Sequence, residues 1–204
     1  GGLYMAVDVE LSGTNIANNS AGIAAGIGIT ASAGYGGGVY MNYNGRIYNC
    51  TVVGNEAPSW AGVYAYRSYV YNSIVWDNYL LTGVLGNISE SYEVRNTCTS
   101  PLYGGTANIS SDPRFVDAGS GDYRLRTGSP CLNVGSSSYV NGSLDLAGLA
   151  RTQGGTVDMG CYEGVVDGYV VSIEVLGNGT VTNTPAFVQP GGLVTFSALE
   201  GERS

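Results

Sequence analysis

This chain has no histidine and no lysine. The first absence removes the commonest general base and the commonest metal ligand. The second leaves arginine as the source of all eight basic charges, against 16 acids, for a formal charge of −8. That balance speaks against nucleic acid or an anionic membrane surface as a partner. Charge of either sign is scarce: 12 % of residues are charged, about half the usual share. Long apolar runs are missing, so no membrane insertion is expected and no export signal is visible. No segment carries the sustained amphipathic period of a helix.

What fills the space is glycine (33 of 204 residues), tyrosine (16) and abundant asparagine, in a chain that is still 44 % hydrophobic. Glycine and asparagine are poor helix formers, and tyrosine favours strands. An all-β fold is therefore expected. The four cysteines, Cys50, Cys98, Cys131 and Cys161, lack zinc-site spacing and admit three full pairings. Cys131–Cys161 is the favoured bridge if the protein is exported; four buried thiols is the alternative.

Internal similarity organises the chain. "GGLYM" (1–5) matches "GGVYM" (37–41), and "AGVYAY" (61–66) repeats it 24 residues later. "LSGTNIANNSA" (11–21), "IYNCTVVGNEA" (47–57), "VYNSIVWDN" (70–78) and "VRNTCTS" (94–100) follow in step. The unit is near 24 residues, with an insertion within 21–36. A unit of that length without helical pattern implies short strands stacked ~4.8 Å apart, coil upon coil. Leu11, Ile47, Val70 and Val94 share one inward register, and Ile16, Val52 and Val75 another. Gly13, Asn49, Asn72 and Asn96 share a turn register, where asparagine tolerates left-handed backbone and its amides can bond up the stack. A β-sandwich with accidental glycine-rich similarity is the competing architecture.

These coils resemble the right-handed parallel β-helix proteins of the pectate-lyase-like superfamily, with residues 1–107 as coils. The resemblance implies a scaffold that carries lyases, hydrolases and non-catalytic surface proteins alike. "DPRFVDAGSGDYRLRTGSPCLNVG" (112–135) and "LDLAGLARTQGGTVDMGCYE" (144–163) are similar to the C-terminal cassette of bacterial choice-of-anchor Q domains. That makes residues 108–164 a cap sealing the end of the stack, and implies an exported or cell-surface bacterial protein. Asn133, Ala147 and Cys161 depart from the family pattern, and two acids that might have held a cation are thereby missing. Residues 165–204 resemble the first half of a small bacterial β-repeat module, and the chain reads as a portion of a longer protein.

Candidate sites follow. Tyr4, Tyr40 and Tyr64 share an outward register, and Tyr43 and Tyr66 lie close by. Such a strip either contacts a glycan or stacks on itself to stabilise the coils. Arg95 shares a register with Tyr48 and Tyr71, an expected outer stack. The acids of the coils are scattered, so no catalytic residues are assigned. Glycoside hydrolysis or lyase chemistry would need acids or arginines to converge on one face, with Asp8, Glu10 and Arg46 the set to watch. Asp117, Asp122 and Asp145 are weak Ca²⁺ candidates, although turns and local caps use aspartate more often. Six Asn-X-Ser/Thr sequons, at Asn18, Asn49, Asn87, Asn108, Asn141 and Asn178, read as products of asparagine-rich turns. The expectation is a monomeric, non-catalytic extracellular or cell-surface protein presenting an elongated surface for adhesion or glycan binding. The alternative is a polysaccharide lyase or glycoside hydrolase whose catalytic coils lie upstream.

Overall fold

The computed structural model describes residues 2–5, 7–20, 37–89, 91–152, 155–164, 169–170 and 187–188. The chain is all-β, with parallel sheets dominating. Four passes of chain each lay one short strand into each of three four-stranded sheets. The first pass supplies β1 (Leu3–Met5), β2 (Glu10–Ser12) and β3 (Asn15–Ala17). The second supplies β4 (Val39–Asn42), β5 (Arg46–Tyr48) and β6 (Thr51–Val53), followed by the short β7 (Glu56–Ala57). The third has β8 (Val63–Tyr66), β9 (Tyr69–Tyr71), β10 (Ile74–Trp76) and β11 (Tyr79–Leu80). The fourth has β12 (Ile88–Ser89), β13 (Glu93–Arg95) and β14 (Cys98–Thr99). Strand orders are β1-β4-β8-β12, β2-β5-β9-β13 and β3-β6-β10-β14, with β7 paired to β11.

The expected files form. Leu11, Ile47, Val70 and Val94 are direct partners across β2, β5, β9 and β13. Ile47, Val70 and Val94 are buried, and Leu11, on the first pass, packs half-buried against them. Ile16, Val52 and Val75 align in the same way. With Met5, Met41, Val39 and Val63 they make one interior core. Burying each such side chain stabilises the fold by roughly 1.5–3 kcal/mol.

The corners are left-handed, as their composition predicts. Gly13, Asn49, Asn72 and Asn96 all have φ between 46° and 58°. Their amides, however, do not bond one another. Nδ2 of Asn49 donates to the Asp158 carbonyl (3.3 Å), that of Asn72 to Ser136 and Tyr139 (2.9 and 3.1 Å), and that of Asn96 to Val134 (3.0 Å). The amide ladder forms elsewhere. Asn19 donates to Asn55 (2.9 Å), Asn55 to Asn78 (2.8 Å) and Asn78 to Asn87 (2.8 Å). These side chains turn towards the backbone, so each amide also serves carbonyls such as those of Ile16 and Val52.

Beyond the fourth pass, Thr106 and Ile109 still bridge in parallel to Arg95 and Cys98 at the end of the stack, and the rest of the cassette lies along the flank as a strap. Its hairpin, β15 (Phe115–Asp117) and β16 (Asp122–Leu125), is antiparallel. Tyr123 and Leu125 point in, while Arg124 and Arg126 stay outside. From residue 131 the chain runs from the fourth pass (Val134 on Asn96) through the third (Ser136 and Tyr139 on Asn72) to the first. There Asn141 donates to Glu10 at 3.2 Å and accepts from Ser12. The return leg places Arg151 beside Gly13, Asp158 on Asn49, and the Gly160 amide on the Asn72 carbonyl (2.8 Å). A Cβ on Gly13 would meet the guanidinium of the buried Arg151 at 2.9 Å, and this close approach sets the first corner apart from the three that carry asparagine. The strap covers the outer face of the third sheet. Ile74 and Cys98 from the sheet, and Leu125, Cys131 and Met159 from the strap, form a second core. Both faces of that sheet are covered, hence "TVV" and "IVW" run without the alternation of buried and exposed positions.

The Cys131–Cys161 bridge is absent: all four cysteines are buried and free. Cys131 sits over the fourth pass against Cys98, whereas Cys161 sits over the second, its amide bonded to the Thr51 hydroxyl at 3.1 Å. The module expected at 165–204 lies outside the described residues, apart from a two-residue antiparallel pair, β17 (Tyr169–Val170) with β18 (Phe187–Val188). The insertion within 21–36 and the sequon at Asn178 also lie outside them. No helix among the described residues is long and apolar enough to cross a membrane.

Candidate functional site

The tyrosine register is realised as a file. Tyr4, Tyr40 and Tyr64 are cross-strand partners in β1, β4 and β8. Their rings stack at 5.3 and 4.9 Å, with interplanar angles of 15° and 19°. Stacking at the strand spacing turns the ring faces toward one another, so solvent meets mainly edges. A sugar needs a free face for stacking, and Tyr40, between two rings, has both of its faces covered. Tyr43 and Tyr66 meet edge-on at 5.2 Å, with the Arg67 guanidinium 5.6 and 5.5 Å from their ring centres. The Arg95 register is likewise a stack. Tyr71 donates to Glu93 at 2.7 Å, Glu93 pairs with Arg95, and Arg95 donates to the Tyr139 hydroxyl at 3.0 Å. Tyr139 lies flat on Tyr71 at 4.2 Å and 8°, which pins the strap to the second sheet.

The Ca²⁺ candidates do not gather. Asp117 and Asp122 face each other across the hairpin, Asp117 accepting from the Ser120 amide and Asp122 paired with Arg124. Hydrogen bonding to Arg124 holds the Asp122 carboxyl below its ordinary range. Asp145 lies on the strap and is filled by three amides, those of Ala147, Leu149 and Glu163 at 2.7–2.9 Å. Among the described residues, no group of three potential ligands could hold a metal. Of the set Asp8, Glu10 and Arg46, only Glu10 and Arg46 pair, at 3.6 Å on the surface.

The structure brings other residues together. A cleft of about 530 Å³ opens where the end of β10 meets the hairpin. Trp76 and Phe115 supply its rings, Asp77 and Asp112 its carboxylates, and Arg114 and Arg126 its guanidinium groups, with Ala118 and Thr127 completing the wall. Trp76 is half-buried against the second core, so its ring is held by packing. Asp77 occupies the left-handed corner that ends β10 (φ 49°), with the Tyr79 hydroxyl at 3.5 Å. Burial, then the neighbouring Asp112 charge, raises the Asp77 carboxyl above its ordinary range. Asp112 accepts from the Arg114 amide at 2.8 Å, an Asx turn started by Asp-Pro. Arg114 donates to the Gly128 carbonyl (3.0 Å), and Arg126 grips that of Val116 (3.1 Å from Nε). Neither guanidinium is in an ion pair among the described residues.

Sequence reasoning passed over this cleft. Trp76 reads as one aromatic among many, and Asp77 as a scattered acid. The available signal was local density: "SDPRF" sets Asp112, Arg114 and Phe115 within four residues. Its meeting with Trp76 depends on where the strap lies. No family model matches the chain, and neither a curated protein nor a solved structure matches it.

Proposed function

We propose that this chain is part of a right-handed parallel β-helix, displayed outside the cell, that binds saccharide without transforming it. Contact centres on the Trp76 cleft. The supporting observation is its lining, an aromatic floor flanked by carboxylates and anchored guanidinium groups. Aromatic rings accept the apolar face of a sugar, carboxylates accept from vicinal hydroxyls, and guanidinium groups pair bidentately with uronate or sulfate. The parallel sheets and the aligned files support the β-helix, and the low share of charged residues and the absence of lysine agree with a surface displayed outside the cell. The tyrosine file, on a different sheet from the cleft, serves as scaffold. The test is a glycan array followed by calorimetry on the best oligosaccharide. Trp76→Phe and Arg126→Gln should each weaken binding by about 5–30-fold, since one aromatic or charged contact carries roughly 1–2 kcal/mol. No binding across acidic and neutral arrays, or affinity untouched by both changes, overturns the reading.

One observation favours a second reading, glycoside hydrolysis. Asp77 and Asp112 line the same cleft, with burial and then the Asp112 charge raising the Asp77 carboxyl, and two carboxyls about one site are what glycoside hydrolysis uses. Release of reducing ends from a polysaccharide, abolished in Asp77→Asn, would establish that reading in place of simple binding.

A further inference from the structure

Two of the four cysteines, Cys50 and Cys98, lie on the passes of the sheets and two, Cys131 and Cys161, on the strap. Cys98 projects from β14 into the second core, where Cys131 packs against it with Ile74, Leu125 and Met159. Both are fully buried. The Cys98 thiol donates to the Ser111 carbonyl at 3.2 Å, and Cys98 is the largest influence on the Cys131 thiol, pushing it upward. The Cys131 backbone is held on both sides, its amide by the Ser129 hydroxyl (3.2 Å) and its carbonyl by the Met159 amide (2.9 Å). The other couple differs. Cys50 and Cys161 lie near enough to feel each other's charge, but the Cys50 thiol is turned to the Tyr48 carbonyl at 3.2 Å.

From this geometry we infer that Cys98 and Cys131 are a disulfide site, which oxidation converts into a covalent clasp between the last pass of the sheets and the strap. The oxidant is a small-molecule disulfide such as oxidised glutathione. One protein thiolate attacks it, forming a mixed disulfide and releasing one glutathione thiolate. The second protein thiolate then attacks the protein sulfur of that mixed disulfide and expels the second glutathione. Two cysteine thiols are oxidised, one glutathione disulfide is reduced to two thiols, and two protons pass through solvent. In the folded state the Cys98 side chain, then burial, pushes the Cys131 thiol up and keeps it neutral, so exchange is slow there. The clasp therefore closes while the strap docks during folding. It is independent of the saccharide reading, because neither sulfur lines the cleft.

The test is refolding of the full reduced chain in a glutathione redox buffer, acid quenching, and mapping of linked peptides by mass spectrometry without reductant. The expected product carries a Cys98–Cys131 link, with a thermal midpoint raised by roughly 5–10 °C and restored by reductant. The double variant Cys50→Ala/Cys161→Ala should still form the link and lose two hydrogens in mass. A dominant Cys131–Cys161 or Cys50–Cys161 link, or recovery of folded chain with Cys98 and Cys131 still reduced, overturns the proposal.

Discussion

Asn72 carries more of the flank than any other single corner. Its left-handed backbone (φ 47°) turns the chain from the second sheet to the third. Its side chain donates to Ser136 and Tyr139 and accepts from the Ser136 amide at 2.8 Å. Two substitutions separate these roles. Asn72→Gly keeps the turn and loses the amide bonds; Asn72→Ala loses both. Denaturant unfolding should show the glycine variant down by about 2–3 kcal/mol and the alanine variant by about 1 kcal/mol more. Equal losses would mean that the backbone geometry contributes nothing.

A second residue-scale expectation concerns Glu163. It is buried with Arg151 (3.4 Å), near Asp158, and accepts from the Asp158 amide. Burial first and the Asp158 charge second push its carboxyl up to about 8, outweighing the guanidinium. Asp158 is itself raised, chiefly by burial. A carboxyl whose folded pKa lies above its unfolded value contributes its full stability below the unfolded value, near 4.5. That contribution is lost as pH rises through about 8. Stability should therefore fall between pH 5 and pH 8.5 by about 3 kcal/mol, and Glu163→Gln should flatten the slope. A thermal midpoint that rises over that interval would contradict the assignment.

At the scale of elements, the inward files were legible because strand periodicity and the 24-residue repeat constrain the same residues twice. Leu11, Ile47, Val70 and Val94 had to face one way once successive units were aligned. The file's energetics should follow position. Ile47→Ala, in the middle, should cost about 2–5 kcal/mol, and Leu11→Ala, half-buried on the first pass, distinctly less. Equal costs would mean that Leu11 is as enclosed as Ile47. The amide ladder was not legible. Asn49, Asn72 and Asn96 look like ladder residues by register, yet the strap takes their amides, and no local pattern announces a strap 38 or more residues downstream. Asn19, Asn55 and Asn78 repeat equally well, but only the observed corner turns them toward the backbone. The tyrosine file was placed correctly, and its use was set by ring spacing, which sequence does not carry. The cleft was hidden for the same reason as the strap, since it needs the hairpin beside β10.

At the scale of the molecule, the second core makes sheets and strap mutually dependent. Without the strap, Ile74 and Cys98 would face water, and the corner asparagines would lose their partners. The described passes and the strap should unfold together. In hydrogen exchange, the amides of Gly160 and Asn133, bonded to Asn72 and Asp158, should match the protection of Val70 and Val75. Exchange of the strap amides well before those of the sheets would show it to be a separate unit.

The strap travels out past each corner and back, meeting one asparagine or glycine per pass. Such an arrangement measures the stack against a second piece of chain of fixed reach. Duplicating a single repeat would displace every corner beyond it by one strand spacing, leaving an asparagine with nothing to grip. Lengthening this protein thus demands two coordinated changes in distant parts of the gene, a constraint on its growth that an unstrapped pile of repeats would escape.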